Sequence, residues 1–93
     1  MYFVYIIYSD KLNRYYVGTT DDVERRLSEH NHDFYKNSFT SKGIPWDLKL
    51  SYKTPSSQKA YDLERFIKKM KSRVFIEKIL ADPNILDECI EKS

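Results

Sequence analysis

The sequence predicts a small α/β domain: a three-stranded, mainly antiparallel sheet flanked by helices, in the order β-β-α-β-α-α. Three observations carry that expectation. The chain opens on "YFVYIIYS", an apolar and aromatic run with no polar alternation, which reads as a strand covered on both faces. A second β-rich run, "RYYVG", follows after only "SDKLN", so the two form an antiparallel hairpin. Beyond it, two segments with apolar residues at helical spacing flank one segment that alternates.

Taken in order, the first strand spans residues 2 to 8, with Phe3, Tyr5 and Ile7 on one side and Tyr2, Val4, Ile6 and Tyr8 on the other. The second ends at Gly18. "TTDDVERRLSEHN" carries helix-start chemistry, with Asp21 and Glu24 spaced as a capping box. Val23, Arg26, Leu27 and His30 then fall at i, i+3, i+4 and i+7 and share the inward stripe, while Arg25 points elsewhere. Residues 31 to 45 read as a polar loop with room for a short helical turn. In "PWDLKLSY", Trp46, Leu48, Leu50 and Tyr52 alternate with Asp47, Lys49 and Ser51, which predicts a third strand with one wetter face. Thr54 as N-cap and Pro55 at the first helical position open the next helix, whose apolar stripe is Ala60, Leu63, Ile67 and Met70, with Glu64 at its edge. A helix restarts at Ser72, and Asp82-Pro83 opens a last short one.

The 93 residues suit one domain with one core, read as residues 1 to 93 with a helical tail from 81. Aromatics at 15% argue against disorder. No run approaches the roughly 20 apolar residues of a membrane helix. No basic leader with a cleavage site opens the chain, so a cytoplasmic protein is expected. The lone Cys89 reads as a spare, partly buried thiol. Net charge is only +2, but residues 1 to 73 hold 14 basic and 9 acidic side chains, and residues 74 to 93 hold 2 and 5. The segment Lys59 to Arg73 holds 6 basic and 2 acidic residues, a local excess suited to a polyanionic partner.

Five polar groups fall where the pattern predicts partial burial: Tyr5, Tyr16, Arg26, His30 and Glu64. A core ion pair of Arg26 with Glu64, beside packed tyrosine rings, is one account of them. Zinc spacing is absent, since Cys89 stands alone and His30 and His32 are two apart. A phosphate-binding glycine loop is absent too, as Gly18 and Gly43 are the only glycines.

Phe3-Val4-Tyr5, then Tyr16-Val17-Gly18, then Arg26, His30 and Glu64, resembles the GIY-YIG nuclease superfamily, and its small single-domain bacterial members most. The form Y-V-G-x-T-x-x-x-x-R-R-L-x-x-H runs from Tyr16 to His30. "SKGIPWDLKLSY" and "AYDLERFIKKMKSR" resemble the family's third strand and its glutamate-bearing helix, so the likeness spans about residues 1 to 80. Phe3 and Val17 depart from the named triplets. Thr19 stands where some relatives carry lysine, and no late asparagine can be placed in Lys71 to Leu80.

The resemblance implies an endonuclease that hydrolyses DNA phosphodiester bonds, with repair or recombination as its setting, and one divalent ion, Mg²⁺ or Mn²⁺. It implies that Glu64 is the sole protein ligand to that ion and that Arg26 stabilises the phosphate. Tyr5 or Tyr16 would activate water, with His30 taking the proton or orienting the phenol. A nearby cation would lower the phenol's pKa. Gly18 would let backbone approach substrate. Lys42, Lys59, Arg65, Lys68, Lys69 and Arg73 are candidates for phosphate contacts. Tyr35 is a candidate for base stacking, and Trp46 is better suited to the core. A protein partner, or recognition of DNA structure, would direct the enzyme. The alternative is a non-catalytic nucleic-acid-binding module that keeps the fold.

Overall fold

The computed structural model describes residues 1–32 and 40–92, without the side chains of 40, 41 and 92. The aromatic residues expected at 34, 35 and 39, including the stacking candidate Tyr35, lie outside the described residues. Strands β1 (Tyr2–Ser9), β2 (Arg14–Thr20) and β3 (Trp46–Thr54) form one antiparallel sheet in the order β2-β1-β3. Helix α1 (Val23–Asn31) follows β2, a 3-10 turn (Thr40–Gly43) precedes β3, and α2 (Ser57–Met70), α3 (Arg73–Ala81) and α4 (Asn84–Lys92) complete the chain.

The two-sided apolar pattern of β1 is explained by its central place. Val4 and Ile6 face α2, α3 and α4, where they pack with Val17, Ala60, Leu63, Ile67, Ile79 and Leu86. Tyr5 and Ile7 face α1, in a second cluster with Trp46, beside Tyr16, Val23 and Leu27. Each fully buried aliphatic side chain of this kind contributes about 1.5–3 kcal/mol. The sheet therefore separates two apolar layers, and both tyrosines of the motif lie in the α1 layer.

Four local expectations are corrected. The alternation in β3 does not keep one face: Ile6 pairs with Leu50 and Ile7 with Leu48, so Lys49 is an extra residue in a β-bulge. Trp46 and Leu48 consequently lie on the α1 side, while Leu50 and Tyr52 pack with the α2 layer. Leu48 is left 41% exposed. The N-cap of α1 is Asp22, one residue later than the capping-box spacing suggested, and its carboxylate accepts from the Arg25 N–H at 3.1 Å. The N-cap of α2 is Ser56, whose hydroxyl accepts from Lys59 N–H at 3.2 Å. Thr54 instead ends β3, where its hydroxyl is directed at the carbonyls of Tyr2 and Ser56, both at 2.9 Å. Met70, at the last turn of α2, is 47% exposed because the stripe has already passed the core at Ile67.

Asn31 ties the end of α1 to the start of β3. Its amide donates to the Trp46 carbonyl at 3.0 Å and accepts the Trp46 N–H at 2.5 Å, as a paired strand residue would. Replacing Asn31 with alanine removes both bonds beside a buried indole. It is expected to cost about 1–3 kcal/mol, read as a lower urea midpoint at constant slope.

Candidate active site

β2 and α1 deliver the motif residues to one place. The register sets Tyr5 opposite Gly18 and Ile7 opposite Tyr16, so both phenols project from the same face of the β1–β2 pair. Their ring centroids are 6.4 Å apart. Gly18 makes this possible through its lack of a side chain: a Cβ there would meet the Tyr5 Oη at 2.5 Å and two ring carbons at 2.6 and 2.8 Å.

From the helix side, His30 is 3% exposed, and its Nε2 lies 3.0 Å from Tyr5 Oη. The same imidazole stands edge-on to Tyr16, with centroids 5.3 Å apart. Burial, with the Arg26 charge adding to it and Glu29 opposing, lowers the His30 pKa from its usual 6.5. The imidazole is thus held neutral near pH 7 and shares one hydrogen with the phenol of Tyr5. Burial also dominates at Tyr5, whose phenol is pushed up to about 12, although a hydrogen bond from Arg26 and that residue's charge pull the other way. A cation beside this tyrosine does not lower its pKa on balance, contrary to the sequence expectation, because the ring is 1% exposed. Arg26 keeps 35% of its side chain exposed and lies 4.0 Å from Glu29. It is not paired with Glu64, so the core ion pair suggested by the charges does not form.

Glu64 comes from the other layer. Its carboxylate is close enough to Tyr5 to raise that phenol's pKa. Lys68, one turn along α2, pairs with it at 2.9 Å and sits 5.7 Å above the Tyr16 ring. Lys68 therefore links the glutamate to the second tyrosine. Its sequence signal was the i, i+4 spacing from Glu64, which foretells an ion pair but not the ring beyond it.

The basic candidates divide. Arg65, Lys68 and Lys69 surround Glu64 in a shallow surface depression that also includes Tyr61. Arg73 is held by the hairpin turn, donating to the Asn13 carbonyl and amide oxygen, each at 3.0 Å, and lying over the rings of Tyr8 and Tyr15. Lys59 is half-buried in the first turn of α2, and Lys42 is exposed on the 3-10 turn, away from the α2 cluster. Trp46 is 2% exposed and belongs to the core. Among the described residues no three His, Cys, Asp or Glu side chains gather as a metal-binding group. No described helix is long and apolar enough to cross a membrane.

The fold and the site define a class: a small α/β domain in which two β-hairpin tyrosines and an arginine and a histidine of the next helix gather beside the sheet, with a glutamate of a later helix linked to them through a lysine. The GIY-YIG catalytic domain family matches residues 1–78, and the chain belongs to that family. No curated protein and no solved structure matches it.

Proposed function

We propose that the protein is an endonuclease that hydrolyses phosphodiester bonds in DNA with one divalent metal ion. Membership of a nuclease family makes nucleic acid the substrate class. The single observation that carries the catalytic reading is the gathering of Tyr5, Tyr16, Arg26 and His30, with Glu64 of the opposite layer linked to Tyr16 through Lys68. Burial of a neutral phenol–imidazole pair next to a guanidinium has no structural need, since apolar side chains would fill the same space at lower desolvation cost.

In this reading Arg26 grips the scissile phosphate. Its planar, permanently charged fork matches the phosphate oxygens, and half-burial strengthens its pull on the charge that grows there during attack. Tyr16, less buried than Tyr5, holds the attacking water and, acting as the phenolate after its own proton has left to solvent, takes the water's proton and becomes a neutral phenol. Tyr5 keeps its own proton, and through Nε2 it fixes the imidazole ring that stands against Tyr16. The donor set suits a hard cation: Glu64 offers one oxygen ligand group, and its pairing with the half-exposed Lys68 is of the kind worth little in water, so the carboxylate can exchange partners. When bound, the ion supplies charge stabilisation at the leaving oxygen.

The test is cleavage of supercoiled plasmid, flap and junction DNA by the purified protein with Mg²⁺ or Mn²⁺. The expected result is metal-dependent nicking that is lost in Glu64→Ala and Arg26→Ala. Binding that persists in every variant, with no cleavage under either metal, would instead support the non-catalytic module.

A further inference from the structure

A cleft of about 430 Å³ opens on the α2 side of β2 and touches the candidate site through Tyr16 and Lys68. Its apolar floor includes Val17, Ile67 and Ile76, and its rim carries Arg14, Lys68, Lys71 and Arg73. No acidic side chain lines it among the described residues. We propose that this cleft binds the sugar–phosphate backbone of the nucleic-acid strand as it leaves the cleavage site. The proposal rests on the nuclease reading for its direction, away from the scissile phosphate, and on the charge of the rim for its ligand.

Two features point to a phosphate backbone. The first is the spread of charge. Four cations, Arg14, Lys68, Lys71 and Arg73, line one cleft, so positive charge is spread along it rather than gathered at one point. The rim thus runs from Lys68, beside Tyr16 and paired with Glu64, to Arg14 and to Arg73, which is paired with Glu77 at 3.4 Å, while Arg14 and Lys71 carry no such ion pair among the described residues. The second is Lys71. It caps α2 in the left-handed region, with φ 47° and ψ 38°. Glycine or asparagine suits that backbone better than a long side chain does. Lys71 nevertheless stands on the cleft wall, where its charge has a use that its backbone does not. Arg14 is likewise exposed at the start of an edge strand, where the fold makes no demand for a cation.

Binding is read by fluorescence anisotropy with a labelled short DNA duplex in EDTA, so that no cleavage intervenes, for the wild type, Arg14→Ala, Lys71→Gly and the double variant. Lys53→Ala, on β3 at the far edge of the sheet, serves as the comparison for loss of one charge. Lys71→Gly relieves the left-handed backbone, so its melting temperature is expected to hold or rise, which separates binding from folding. The double variant is expected to lose at least about tenfold in affinity near 0.1 M salt. Each single change is expected to reduce the slope of log affinity against log salt by about one. Affinities and slopes equal to those of Lys53→Ala would overturn the cleft assignment while leaving wild-type nicking intact. Weakened binding with no metal-dependent nicking by the wild type would keep the cleft and reject the nuclease reading.

Discussion

Gly18→Ala is expected to destabilise the protein by about 2–3 kcal/mol, the cost of overpacking a filled site, and to remove most cleavage activity with it. The effect does not come from backbone strain, since no glycine in the described structure has a positive φ. It comes from space. An added Cβ would stand 2.5 Å from Tyr5 Oη and 2.6 Å from the ring carbon that bears it. The ring cannot yield easily, because it is 1% exposed and its oxygen is held to His30 at 3.0 Å. Either β2 moves away from β1 at that pair, or the Tyr5 ring turns out of its place and breaks the contact with His30. Both outcomes lower the urea midpoint, and both disturb the site. The measurement is paired: equilibrium unfolding in urea, and plasmid nicking with Mg²⁺. A Gly18→Ala protein within about 0.5 kcal/mol of wild type in urea, below the overpacking range of about 1–3 kcal/mol, would show that the cavity above Gly18 is larger than the distances indicate.

The element order was legible because the signals were local and redundant. The unbroken apolar run of β1 announces a central strand, and the stripe Val23, Arg26, Leu27, His30 puts two polar groups on an inward face. What failed was decided by pairing. The alternation from Trp46 to Tyr52 is a correct strand signal, yet one extra residue at Lys49 divides it between two layers, and a bulge leaves no mark in periodicity. The helix starts slipped by one or two residues for a related reason. "TTDD" and "TPSS" each offer several capping side chains, and the hydrogen bonds of Asp22 and Ser56 choose among them. At the candidate site, the sequence supplied the members but not their partners. Charge balance alone suggested that Arg26 would meet Glu64. The fold instead brings the two from opposite layers, sets Arg26 beside Tyr5 and Glu29, and gives Glu64 to Lys68.

Replacing each tyrosine with phenylalanine is expected to separate two roles. Tyr16→Phe removes the proposed base and is expected to slow cleavage by about 10²–10⁴, the usual span for a lost general base, with little change in stability, because its ring contacts with His30 and Trp46 survive. Tyr5→Phe keeps the ring above Gly18 but takes the hydroxyl from His30 Nε2, and its effect on rate should be smaller than that of Tyr16→Phe. Its distinguishing mark is alkaline stability. The folded phenol of Tyr5 titrates near 12 against 10 for a free one, so folding favours the protonated form. The unfolded chain releases this proton first as pH rises, which draws the equilibrium toward unfolding. The contribution is whole below pH 10 and is lost progressively toward pH 12, by up to roughly 3 kcal/mol at 1.36 kcal/mol per pH unit. Tyr5→Phe has no such proton, so the wild type should lose more stability than the variant across that window. Equal alkaline slopes for wild type and Tyr5→Phe would mean that the Tyr5 phenol is not held protonated by its burial. A larger rate loss in Tyr5→Phe than in Tyr16→Phe would reverse the assignment of the base.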